Sequence, residues 1–432
     1  MRGCAGERDG QRPGVTESQP RLLFVSPRFL FPMDQGGKIR TGNILRRMHG
    51  GAFEVTLASP APPNVNHFHS DLDAACDRFI SWPERTPTGI ERALSLASAV
   101  PVAVASDRSE AGNGCIRSAL TAKPDVVVVD FPHAGVLVPN RMDAASVMFT
   151  HNVEAEIFER HAARANGLGR LIWADQSRKM TRFEGDTLRR FDTVIAVSQR
   201  DAGVLSKRYG LARIEAIDTG VDLDFFAAAA PGEASDPGLD GGTLVFTATM
   251  SWPANVEGIH FLLDEVWPTL VAARPRIKAV IIGRNPPASL ADKIRQRGLN
   301  VTLTGFVDDV RPYVAQSHVY VIPLFVGSGT RIKAFEAMAM GCPVISTSLG
   351  IEGLDVTDGE HFLRADSAET FSHGILALLD DAALRSRMAG AARRLIEQRF
   401  SWKNVAAQFE TICLEALERR RRATPDCRQN RP

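Results

Sequence analysis

The sequence contains no run of about 18 apolar residues, so no helix is expected to cross a membrane. Its start lacks the apolar core of a signal peptide. The six cysteines, Cys4, Cys76, Cys115, Cys342, Cys413 and Cys427, are scattered and form no Cys-x-x-Cys pair. That spacing argues against a disulfide frame or a zinc site and fits reduced thiols in a cytoplasmic protein. Net charge is only +1, which leaves no global field to suggest nucleic acid as a partner. No Gly-x-Gly-x-x-Gly follows the first strand of either half, as a nicotinamide dehydrogenase would require. No Gly-Lys-Ser/Thr ending marks a P-loop NTPase.

What is present is a chain of 432 residues with 44% hydrophobic content, too long for one ordinary core and suited to two α/β domains. Apolar β-branched runs mark strands at 21–27, 53–58, 124–130, 146–150 and 193–198. Weak strand patterns also occur near 76–81 and 100–105. After a segment rich in Ala, Pro, Gly and Asp the pattern restarts, with strands expected at 244–249, 279–282, 301–304, 319–323 and 344–347. A helix is expected from 256 to about 273. Strands alternating with helices favour parallel sheets with crossover connections. The expected organisation is a disordered leader 1–20, a first domain 21–224, a linker 225–242 and a second domain 243–400. A helix 401–422 and a disordered tail 423–432 complete it.

Two strand-to-helix turns carry cations. The first reads Gly36-Gly37-Lys38 with Arg40 in the opening helical turn. The second reads Gly327-Ser328-Gly329-Thr330-Arg331-Ile332-Lys333, and Glu336 lies one turn beyond Lys333. A helix N-terminus already has free N–H groups and partial positive charge. Added Arg and Lys repel it unless an anion sits among them, and glycines let the backbone approach that anion. A diphosphate fits this arrangement, and a carboxylate one turn on suits the hydroxyls of a ribose. The plain alternative is a solvated helix start, and a tight structural turn serves equally well for Gly36 and Gly37. Gly341 is placed as a left-handed helix stop. The basic helical region 154–190 is either a lipid- or acceptor-facing surface or, on its mixed charge, a solvated face. His67 and His69 have no third ligand nearby. The pairs Asp71/Asp73 and Asp222/Asp224 end no well-formed strand, so no metal is expected.

The stretch from Gly327 to Thr347, with Ile281-Ile282-Gly283-Arg284, the run Val301 to Val307, Asp218 to Asp222 and His151-Asn152, resembles the retaining glycosyltransferases of family 4. The resemblance covers roughly residues 21–420, with a weaker likeness to bacterial exopolysaccharide sugar transferases. It implies a GT-B fold: two facing Rossmann-like domains with parallel sheets and a C-terminal helix returning to the first domain. It also implies sugar transfer with retention from a UDP- or GDP-linked donor to a glycan or lipid-linked acceptor, without a cofactor. In that scheme the donor lies in the second domain and the acceptor mainly against the first. Glu336 falls on the ribose-binding glutamate, His151 near the histidine at the donor sugar, and Gly305, Phe306 and Val307 hold the base. Gly327, Ser328, Gly329 and Thr330 form the donor loop. Arg331 and Lys333, with the Gly329 and Thr330 N–H groups, stabilise the leaving diphosphate. Gly36, Gly37 and Arg40 form an acceptor or phosphate loop, and peripheral membrane contact is compatible with this scheme.

Two departures bear on the donor. Ser328 replaces a glutamate that family members often carry eight residues before Glu336. The Arg and Lys that many have after the first strand of the second domain are missing from Ala248 to Asn255. Arg331 and Lys333 are the obvious replacements. A nucleotide-sugar epimerase on the same fold, or a non-catalytic sugar-nucleotide-binding relative, is the competing expectation.

Overall fold

The computed structural model describes residues 19–227, 238, 241–250, 252–326 and 332–423. The leader up to residue 18, most of the linker (228–237, 239 and 240) and the tail from 424 lie outside them. The first sheet contains β1 (Arg21–Val25), β2 (Glu54–Ala61), β3 (Arg78–Pro83), β4 (Val126–Asp130), β5 (Ala145–Phe149), β6 (Thr193–Ala196) and β7 (Ile214–Ala216). Its order is β3-β2-β1-β4-β5-β6-β7, and the pairings are parallel. Four successive valines in β4 are fully buried, as expected of a parallel strand covered on both faces.

The second sheet repeats the plan with β8 (Thr243–Thr247), β9 (Lys278–Ile282), β10 (Val301–Gly305), β11 (Val319–Ile322), β12 (Val344–Ser346) and β13 (Leu363–Arg364). Its order is β10-β9-β8-β11-β12-β13, again parallel. Strand order reverses between β1 and β4 and between β8 and β11. Crevices at the carboxyl ends of such switch points are where α/β sheets hold ligands.

The closing helix Trp402–Ala423 returns to the first domain. Trp402, Val405, Phe409, Ile412 and Cys413 are buried in the core that holds Phe24 and Phe149. The Phe409 ring centroid lies 5.2 Å from that of Phe149 in an edge-on contact. Burial of such a side chain contributes about 1.5–3 kcal/mol, so the helix is firmly docked. The chain crosses between domains at two adjacent places. Val221 N donates to Phe400 O at 2.7 Å, and Trp402 N donates to Val221 O at 3.2 Å. A Cβ on Gly220 would sit 2.3 Å from the Trp402 ring, so only glycine allows this approach.

Two local expectations are corrected, and one strand is added. Residues near 100–105 form a helix, Val102–Asp107, not a strand. Its first free N–H, on Val102, is capped by Gln176 Oε1 at 2.8 Å from another helix, a partner that local sequence does not reveal. The helix expected from 256 begins at Pro253 and is interrupted by a π-turn, Leu262–Val266. Pro268 follows that turn and lacks the N–H that would bond back to the Asp264 carbonyl. The two-residue β13 is too short to leave a sequence pattern.

Candidate active site

In the second domain the helix Ile332–Ala339 follows β11 at the switch point. Gly327, Ser328, Gly329, Thr330 and Arg331 lie outside the described residues. Lys333 stands in the first turn. Its Nζ is 3.4 Å from Asn255 Oδ1 and 4.6 Å above the Phe246 ring. Asn255 is buried and donates its Nδ2 to Thr249 O at 2.8 Å, which fixes the amide. It is held there because Gly258, on the same helix, packs where a Cβ would lie 2.1 Å from Pro323 O at the end of β11. Glu336 is half-buried one turn beyond Lys333. Burial pushes its carboxyl up to about 7, while Lys333 pulls in the opposite direction.

Gly341 has φ +73° and terminates this helix segment. Gly341 N donates to Met338 O and Cys342 N to Ala337 O, both at 3.0 Å, the paired bonds of a left-handed helix stop. At the end of β10, on the edge of the same sheet, Gly305 has φ +73° and turns the chain so that Phe306 is 56% exposed. The Arg284 guanidinium lies 4.0 Å over the Phe306 ring, forming a flat, cationic shelf. Val307 is partly buried against the second-domain core.

In the first domain a buried polar cluster occupies the switch point. Asp130, the last residue of β4, accepts from Ser26 Oγ at 3.2 Å, Thr41 Oγ1 at 3.1 Å and His151 Nε2 at 2.6 Å. Arg40 Nη1 lies 3.1 Å from His151 Nδ1. A guanidinium only donates, so Nδ1 accepts and Nε2 carries the proton given to Asp130. Burial keeps the imidazole below its ordinary pKa despite Asp130, so His151 is neutral at physiological pH. Phe131, with φ +66°, stacks on His151 at 4.1 Å between centroids. A Cβ on Gly37 would lie 2.7 Å from the Phe131 ring, whereas one on Gly36 would meet nothing within 4 Å. Gly37 therefore has a packing role and Gly36 does not. Arg40 was expected to present its charge to a ligand. It is instead turned inwards onto His151 and Thr219 and is 4% exposed, which leaves Lys38 at the cleft.

A second cluster adjoins it. His133 sits between Glu154, 3.4 Å from Nε2, and Asp107, 3.6 Å from Nδ1. Burial lowers the His133 pKa, but the two carboxylates outweigh it and leave it above the ordinary value. Burial likewise raises Glu154, and His133 outweighs that and holds it low. Behind them Glu184 caps the helix Glu154–Arg164 by accepting from the N–H groups of Glu154 and Ala155 at 2.8 and 3.2 Å. The Tyr209 hydroxyl also donates to Glu184, at 2.7 Å, yet burial pushes Glu184 up to about 7.

A cavity of about 320 Å³ opens on Arg28, Lys38, Asp130, Phe131, His133 and Asn152. A smaller one, about 50 Å³, joins His151, Arg160 and Arg200 of the first domain to Glu352 and Gly353 of the second. His151 thus lies where the domains meet. Asp130 fell inside an expected strand and was not singled out in the sequence. His133, Asp107, Thr219 and Asn255 were not singled out, because they come from separate elements with no shared spacing. No group of three His, Cys, Asp or Glu among the described residues has metal-ligand geometry.

With these two facing switch-point sites on parallel sheets, the chain falls into the GT-B class of glycosyltransferases. Its first domain matches the family described as Glycosyltransferase Family 4 over residues 35–225. Its second matches Glycosyl transferases group 1 over residues 241–381, and the chain belongs to these glycosyltransferases. It is 29% identical over 208 residues to phosphatidyl-myo-inositol mannosyltransferase of Mycobacterium tuberculosis, covering 45% of this chain and 53% of that protein. The chain thus spans about half the length of that curated relative. HepE of Anabaena, solved in complex with UDP, superposes with TM-score 0.66 at 15% identity, over 91% of this chain and 100% of that one. WaaG, a glycosyltransferase involved in lipopolysaccharide biosynthesis, gives TM-score 0.61 at 16% identity over 91% and 99%. No helix among the described residues is long and apolar enough to cross a membrane.

Proposed function

We propose that the protein moves a sugar from a UDP- or GDP-linked donor to a hydroxyl of a glycan or lipid-linked acceptor, with retention at the anomeric carbon. Exopolysaccharide or other surface glycan synthesis, at the cytoplasmic face of a membrane, is the setting this chemistry fits. The observation that carries the reading is Lys333 and Glu336 one turn apart on the helix that leaves β11 at the switch point. In this reading the diphosphate rests on the N-terminal turn with Lys333 and Arg331, and on the donor loop Gly327 to Thr330. Glu336 takes the ribose hydroxyls, and the shelf of Gly305, Phe306 and Val307 takes the base.

The bond from the anomeric carbon to the diphosphate breaks with oxocarbenium character. Charge grows on the leaving oxygens, where Lys333, Arg331 and the backbone N–H groups stabilise it; each such donor contributes on the order of a few kcal/mol in the transition state. The acceptor oxygen bonds to the anomeric carbon, and its proton leaves with the diphosphate. The neutral His151, locked by Arg40 and Asp130, orients the donor sugar. With cations doing this work, no metal or other cofactor is required. HepE's bound UDP supports a nucleotide donor.

The test is a thermal-shift screen against nucleotide sugars, followed by NMR of the product's anomeric configuration. A rise in melting temperature with one donor family and transfer with retention is expected, since a ligand bound to the native state stabilises it. Conversion of the donor alone to an epimer, with no acceptor required, would overturn the transferase reading.

A further inference from the structure

The first domain holds a larger cavity, about 1050 Å³, which the donor chemistry leaves unused. Part of its wall is apolar, including Trp82, Leu96, Phe158, Ile172 and Trp173. Five cations also line it, Arg28, Lys38, Arg85, Arg92 and Arg108, against two carboxylates, Glu84 and Asp107. Lys38 and Arg85 are paired with Asp34 and Glu91, but Arg92 and Arg108 have no ion pair among the described residues. Arg28, Arg92 and Arg108 are solvent-exposed at its rim, where an anionic group would find charge-assisted partners.

The cavity adjoins the smaller one beside Asp130 through a neck, where Arg28, Lys38 and His133 border both. Exposed apolar side chains stand on two helices that contribute to its wall. Ile90 and Leu94, one turn apart on the helix Gly89–Ser95, are 75% and 71% exposed. Leu168 and Leu171, on the first turns of the helix Gly167–Leu188, are 80% and 68% exposed. Lys179 Nζ of the second helix donates to Leu96 O, just past the first, at 2.7 Å, and Ala93 and Ile172 on these two helices line the cavity itself. An exposed apolar lip beside a cationic, partly apolar channel complements an amphiphile that bears an anion.

We propose that this channel binds a phosphate-bearing lipid acceptor. Its hydrocarbon chain lies in the large cavity, its phosphate at the neck of Arg28, Lys38 and His133, and its accepting hydroxyl in the small cavity beside Asp130. The lip meets the membrane surface from which the lipid is drawn. This rests on the glycosyltransferase reading and narrows its acceptor from glycan or lipid to a lipid phosphate.

The experiment is calorimetric titration of the full chain with dodecyl phosphate below its micelle concentration, beside inorganic phosphate and the uncharged dodecyl maltoside. Dodecyl phosphate is expected to bind at least about tenfold more tightly than either, since both a charge-assisted contact and a buried chain contribute. Arg28→Ala with Lys38→Ala is expected to weaken it by about tenfold or more. Ala93→Trp, which fills the channel wall, is expected to weaken dodecyl phosphate and leave inorganic phosphate unchanged. Equal binding of the three probes, or binding indifferent to these variants, would overturn the proposal. Melting temperature with UDP separates the two levels. A UDP-induced rise without dodecyl phosphate binding rejects the lipid acceptor and keeps the donor site. No response to UDP rejects the donor site and this proposal with it.

Discussion

Replacing Glu336 by glutamine tests the donor site and the electrostatics of its helix together. Glu336 is half-buried, and its carboxyl sits at about 7 instead of 4.5, chiefly because burial disfavours the charge. The folded state therefore holds this proton more tightly than the unfolded chain. Below about pH 4.5 both states are protonated, and the group costs nothing. As pH rises through 7 the folded protein must carry a poorly solvated charge, and stability falls. A shift of roughly 2.5 units corresponds to about 3 kcal/mol, which partial exposure reduces to on the order of 2 kcal/mol. Glutamine keeps the shape and removes the charge. Glu336→Gln is thus expected to melt near the wild type at pH 4.5 and about 4–8 °C above it at pH 8, by scanning calorimetry. The same variant is expected to bind UDP about tenfold or more weakly at pH 8, because charged hydrogen bonds to ribose hydroxyls are lost. Wild-type affinity for UDP is expected to decline as pH drops below 7, where the carboxylate takes up its proton. An equal melting shift at both pH values would refute the burial argument. Unchanged UDP affinity at pH 8 would refute the ribose assignment.

Other substitutions separate roles within the site. Lys333→Ala combined with Arg331→Ala is expected to weaken UDP binding and slow transfer by at least about a hundredfold; wild-type rate with unchanged donor affinity would remove the diphosphate from this helix. Gly37→Ala is expected to destabilise by about 1–3 kcal/mol in urea, because its Cβ meets Phe131 at 2.7 Å. Gly36→Ala, with open space around it, is expected to be neutral or stabilising by about 0.5 kcal/mol. Asp130→Asn replaces an acceptor shared by Ser26, Thr41 and His151 and is expected to cost about 2–4 kcal/mol by denaturant titration while lowering transfer.

The strands were legible because buried parallel strands are written as β-branched runs such as the four valines of β4, and a restart of that pattern announced a second sheet. The region near 100–105 misled because alternating Val and Ala fits a strand, while the helix depends on a cap supplied by Gln176, 74 positions away from Val102. The placing of Lys333 and Glu336 on one helix was legible because they are neighbours in sequence, one helical turn apart, while residues 327–331 of the expected loop lie outside the described residues. The first-domain site was largely hidden. Arg40 looked like a ligand-facing cation until the fold placed His151 and Thr219 against it, and Asn255 gave no signal that it would hold Lys333. Local spacing records contacts within an element, and these contacts join elements far apart in the chain.

The bonded crossing at Val221 and Phe400–Trp402 has a mechanical consequence. Both passages of the polypeptide between the halves are stitched to each other, so a relative rotation of the halves turns about one pivot instead of two independent strands. Thr219, two residues from that pivot, is gripped by the guanidinium that also fixes His151. A rotation about that pivot therefore pulls on the imidazole's own tether.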